Sequence, residues 1–138
     1  GVSRAGVIDA AAQLFHSAAG DEPLHLYLLL VAASVGLSAF IDNIPYVAAM
    51  LPVVQGVAAL MNGGAGIEPE LFYFGLLTGA TLGGNLTPIG ASANIAAIGI
   101  LRKNGETVRT WDFLRIGVPF TLAAVLVGAG SLWLFWGI

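Results

Sequence analysis

The strongest constraint on this chain is where charge is absent. From Phe74 to Leu101 no charged side chain occurs, and between Pro23 and Ile67 Asp42 is the only carboxylate, with no Lys or Arg. Runs of this kind cannot be hidden within 138 residues without leaving large apolar patches in water. Lipid is the solvent that accepts them. Only 9% of the chain is charged, against roughly 25% in an average soluble domain. The expected fold class is an all-α membrane protein. With no cysteine and two scattered histidines, neither a disulfide framework nor a thiolate or histidine metal site is in prospect.

The few charges set an orientation. Four of the five basic residues, Arg102, Lys103, Arg109 and Arg115, fall in one connecting segment, and the positive-inside tendency makes residues 102–112 cytoplasmic. The same tendency explains the segment without recourse to nucleic acid. Residues 2–20 repeat apolar positions Val7, Ala11, Leu14, Phe15 and Ala18 at helical spacing, which suggests an amphipathic helix lying at the interface. They lack the long apolar core of a signal peptide.

Residues 24–62 are two apolar runs separated by Asp42-Asn43-Ile44-Pro45. They read either as two spanning helices joined at a surface turn or as a re-entrant hairpin whose tip lies at depth. An acid at such depth is costly and usually functional. In the first case Asp42 would cap the following helix; in the second it could carry a coupling proton or Na⁺.

Residues 62–70 are rich in glycine and read as a polar loop. The next crossing, residues 71–101, opens with the aromatic cluster Leu71-Phe72-Tyr73-Phe74, suited to headgroup level. It then carries Gly75, Gly79 and Gly83 along one face, a pattern that lets a neighbouring helix approach closely. Its middle, Gly83-Gly84-Asn85-Leu86-Thr87-Pro88-Ile89-Gly90, breaks helical sequence. Unwound backbone at this depth must line a site or pack against polar partners. The helix beginning near Ala91 offers N–H groups to an anion, and the helix ending near Leu82 offers carbonyls to a cation. Asn85, Thr87, Ser92 and Asn94 add neutral ligands, although Ser92 and Asn94 could instead be helix caps. Residues 113–138 form the plainest spanning helix, with Trp111 before it and Trp133 and Trp136 near its far end. No Ser-His-Asp set, paired carboxylates or phosphate loop is present, so an enzyme is not expected.

The stretch from Ser38 through Asp42-Asn43-Ile44-Pro45 to Pro52, followed by the stretch from Gly83 to Asn94, resembles the C-terminal half of an ion transporter superfamily permease. This is the group of arsenite permeases, NhaD-type sodium/proton antiporters and the pink-eyed dilution protein. The resemblance covers nearly the whole chain. It implies two inverted repeats, each with an interfacial helix, a re-entrant hairpin, a discontinuous helix and a final transmembrane helix. Here one such half is present, and a fragment is expected rather than a half-size subunit that dimerises. By the same resemblance the ion and substrate site comprises Asp42, Asn43, Pro45, Gly84, Asn85, Thr87, Pro88, Ser92 and Asn94. Na⁺ would lie at Asp42, Asn43, Asn85 and Thr87, and Na⁺ or H⁺ is the only coupling species implied. The expected partners are the bilayer of the inner membrane, an N-terminal half or a second copy, and a homodimer of the full-length protein. Arsenite-type or Na⁺-type ion transport is the leading expectation, a sodium-coupled di- or tricarboxylate symporter the alternative, and an anion channel or non-transporting subunit the third.

Overall fold

The computed structural model describes residues 2–20, 22–61 and 69–137. The described residues contain helices and turns and no strand. Six helices follow in order: α1 (Val2–Ala19), α2 (Pro23–Ser38), α3 (Asn43–Met61), α4 (Glu70–Gly83), α5 (Ser92–Lys103) and α6 (Thr110–Trp136). The glycine-rich loop expected at 62–70 falls almost wholly outside the described residues. Helix α6 starts one turn earlier than expected, which brings Trp111 into its first turn, where Arg109 pairs with Asp112 at 3.3 Å.

The core gathers residues of α2, α3 and α4, with Tyr27, Leu30, Val54, Val57, Leu71, Phe72 and Leu76 almost fully buried. Helix α4 seats against both arms of the α2–α3 hairpin, and the glycine stripe makes this possible on the α2 side. A Cβ at Gly79 would stand 2.8 Å from the Val31 carbonyl oxygen, and one at Gly83 would stand 2.5 Å from that of Val35. Real side chains do not approach so closely, so the two backbones are in direct contact. Ser38 adds a buried hydrogen bond by donating its hydroxyl to the Ala80 carbonyl at 2.6 Å.

Helix α1 docks on α3, where Ala12 lies over Gly56. Phe15 and Ala19 also pack against the core, whereas Val7 and Leu14 face outward. The stripe read from the sequence is therefore divided between two environments. The aromatic cluster is divided too. Phe72 enters the core, while Phe74 stays on the surface and meets Trp136 with ring centroids 5.4 Å apart.

Helix α6 also packs against α4. Tyr27 donates its hydroxyl to the Ala129 carbonyl at 2.9 Å, tying α2 to the far part of α6. Among the described residues α6 is the one helix long and apolar enough to cross a membrane alone. Helix α5 differs from the rest in burying none of its residues. It ends in a Schellman-type turn, with Glu106 N–H donating to the Leu101 carbonyl at 3.1 Å and Gly105 at φ +86°, as the Asn104-Gly105 pair suggests.

Candidate ion and substrate site

The site lies where the α2–α3 turn meets the unwound segment between α4 and α5. The turn is short. Phe40 and Ile41 N–H both donate to the Leu37 carbonyl, and Asp42 then opens α3 by accepting from Tyr46 N–H at 3.2 Å. The break is likewise folded by local bonds, with Asn85 N–H donating to Leu82 and Leu86 N–H to Gly83, both at 3.0 Å. Positive φ among the described residues is confined to Gly20 and Gly105. The break's glycines therefore serve close approach rather than a left-handed turn.

That close approach is visible at two positions. The point a Cβ would occupy on Gly90 lies 2.7, 2.8 and 3.0 Å from the carbonyl oxygens of Gly84, Ala39 and Ser38. Three carbonyls from the hairpin tip and the break thus converge around one glycine. A Cβ on Gly84 would stand 2.7 Å from Asn43 Oδ1. That amide oxygen is buried and has no hydrogen-bond partner.

Side chains stitch the two segments together. Ser92 donates its hydroxyl to the Asp42 carboxylate at 2.6 Å and its N–H to the same oxygen at 3.3 Å. Asp42 consequently sits at the starts of both α3 and α5. Thr87 donates its hydroxyl to the Ala39 carbonyl. The Asn94 amide donates to the carbonyls of Gly84 at 2.9 Å and Thr87 at 3.2 Å, closing the break upon the first turn of α5.

Of the residues expected here, Asp42, Asn43, Gly84, Thr87, Ser92 and Asn94 are brought together. Asn85 is not part of that cluster. Its carbonyl lies 2.6 Å from where a Cβ of Gly117 would stand, and the residue lines a hollow on the α6 side with Phe113, Ile116 and Phe120. Pro45 is exposed in the first turn of α3 and Pro88 is half-buried within the break. The carbonyls of Ser38 and Ala39 and the close-packed Gly90 were not anticipated. Gly90 carried a signal, since a second glycine six residues beyond Gly84 is hard to justify by turn chemistry alone. No group of three His, Asp or Glu side chains suited to a metal ion occurs among the described residues. The lining available to a cation is carbonyl, amide and a single carboxylate.

Comparison with known proteins identifies the family. The citrate transporter family (CitMHS) matches residues 1–137. An uncharacterized transporter of Mycobacterium tuberculosis is 37% identical over 131 residues, covering 95% of this chain and 30% of the relative. An uncharacterized transporter of Synechocystis is 33% identical over 140 residues, covering 93% of this chain and 31% of the relative. The human P protein is 38% identical over 101 residues, covering 73% of this chain and 12% of that protein. The chain thus spans about 30% of the length of these two uncharacterized transporters. No solved structure matches. The family and the two relatives named as transporters are transporters rather than enzymes, which places the chain in a membrane and fits the ion transporter superfamily. A match that runs over residues 1–137 makes this chain a member of the CitMHS citrate transporter family.

Proposed function

We propose that the chain forms one half of the pathway of a cation-coupled secondary transporter that moves a carboxylate such as citrate. The observation that carries this reading is the buried, unpartnered Asn43 Oδ1 beside the converging carbonyls of Ser38, Ala39 and Gly84. A buried acceptor without a donor is costly, and Na⁺ satisfies oxygens of this kind, which unwound backbone supplies in transporters. Asp42 contributes the negative charge that Na⁺ or H⁺ would balance. The cargo class follows from the family's description as citrate transporters.

The hairpin is read as re-entrant because the 16 residues of α2 reach about 24 Å, short of a hydrocarbon core of about 30 Å. The opposite wall of the site would come from the remainder of a longer chain or from a second copy. A reading as inorganic ion or oxyanion transport is favoured by one observation: Asp42 already occupies the start of α5, where a cargo carboxylate would otherwise bind.

The test is citrate uptake by the full-length protein in proteoliposomes with and without a Na⁺ gradient. Uptake should require Na⁺, and Asn43→Ala should raise the Na⁺ concentration for half-maximal uptake about tenfold, as loss of a buried polar ligand implies. Uptake that ignores Na⁺ in both proteins would remove Na⁺ from the site, and arsenite uptake without citrate uptake would favour the second reading.

A further inference from the structure

The two arms of the α2–α3 hairpin supply the cation site from opposite sides. The carbonyls of Ser38 and Ala39 end one arm, and Asn43 begins the other. Yet the arms make few direct contacts, because α2 is seated mainly on α4 and α3 on α1 and α4. Among the described residues one side-chain hydrogen bond joins them: Tyr46 of α3 donates its hydroxyl to Ser34 Oγ of α2 at 3.1 Å.

That bond is sealed from solvent. Ser34 is fully buried and Tyr46 nearly so, and a Cβ on Gly79 would stand 2.7 Å from the Ser34 Cβ, so α4 closes over the pair. The bond also lies close to the tip. Ser34 is one turn before Ser38, about 6 Å along the axis, and Tyr46 donates its N–H to the Asp42 carbonyl in the turn of α3 that holds Asn43. Burial strengthens a hydrogen bond of this kind, and removing one partner leaves the other unsatisfied.

We propose that Tyr46 and Ser34 are positioning residues of the cation site. Their hydrogen bond fixes how α3 stands against α2 at the tip, and with it the spacing between Asn43 Oδ1 and the carbonyls of Ser38 and Ala39. Neither side chain touches the ion. Selectivity in a cage of carbonyl and amide oxygens depends on its size and on how stiffly the oxygens are held, so a loosened tip binds Na⁺ more weakly and distinguishes it less well from the smaller Li⁺. Tyr27 provides the comparison. It makes a buried hydrogen bond of the same kind from α2, to the Ala129 carbonyl at 2.9 Å, but about 16 Å along the axis from Ser38. The inference rests on the reading of the site as one for Na⁺.

The experiment measures equilibrium binding of Na⁺ and Li⁺ to the purified full-length protein, with choline chloride holding the ionic strength constant. Tyr46→Phe keeps the ring in the core and removes only the hydroxyl. It should weaken Na⁺ binding about fivefold, the scale of one buried hydrogen bond, and narrow the preference for Na⁺ over Li⁺. Ser34→Ala removes the same bond from the other arm and should do the same, and the double variant should be no worse than either single one. Tyr27→Phe should leave both quantities as they are. Unaltered Na⁺ affinity and Na⁺/Li⁺ preference in Tyr46→Phe and Ser34→Ala overturn the proposal. So does an equal shift in Tyr27→Phe, the result expected of general loosening. Failure of the unmodified protein to bind Na⁺ overturns the cation site itself and this inference with it. That failure shows before any substitution is made, so it is distinct from a failed positioning role.

Discussion

Asp42 joins two helix starts that are fifty residues apart, accepting from Ser92 while opening α3. Anionic groups are favoured at helix N-termini, where N–H groups lack intrahelical partners. Asp42→Asn keeps the shape and one acceptor but removes the charge. In full-length protein it should leave folding intact and abolish the dependence of uptake on pH or Na⁺; coupling that survives unchanged would take Asp42 out of the mechanism. Gly83 makes a different kind of prediction. With the Val35 carbonyl 2.5 Å from the place of its missing Cβ, Gly83→Ala must push α4 from α2, at about 1 to 3 kcal/mol for an overpacked site. Thermal unfolding in detergent should show the loss, while Gly130→Ala, which meets nothing within 4 Å, should not. The glycine stripe was legible from spacing alone because α4 is regular, and a period of four fixes a face. The orientation of Asn85 was not legible, because unwound backbone has no period from which a face can be deduced.

At the level of elements, the break and α5 depend on polar contacts to an unusual degree. Helix α5 buries nothing, and short helices draw most of their stability from tertiary packing. Its first turn is instead held by Ser92 on Asp42 and by Asn94 on the carbonyls of Gly84 and Thr87. Asn94→Ala removes two of these bonds, each worth about 1 kcal/mol. Amide exchange should then quicken across residues 84–95 while α4 keeps its protection, and equal exchange in both proteins would show that the clamp is idle. The sequence indicated Asn94 as a site residue by type and place. Its part as an internal clamp depends on where the chain returns after Pro88, which only the folded backbone supplies.

Across the whole molecule the buried core lies on one side of the break. Its members come from α1 to α4 and the far part of α6, whereas α5 and the first turns of α6 stand largely exposed. An incomplete end of this kind fits a chain that covers about 30% of its relatives. The orientation proposed from the arginines can be checked directly. With Glu106→Cys in an otherwise cysteine-free full-length protein, a membrane-impermeant maleimide should label inside-out vesicles and spare right-side-out ones. The reverse pattern would invert the topology. Composition revealed the membrane, and two motifs in order revealed the family; the division of the aromatic cluster between core and surface was hidden, because both fates suit the same residues.

The crowding around Gly84 and Gly90 has a practical consequence for anyone wishing to watch this protein work. Most positions in the break are packed on carbonyls or committed to hydrogen bonds, so a label attached there would alter what it was meant to observe. Ile89, beside Gly90 yet 58% exposed, is the place for a spin or fluorescent reporter, one residue from the converging oxygens and outside their contacts.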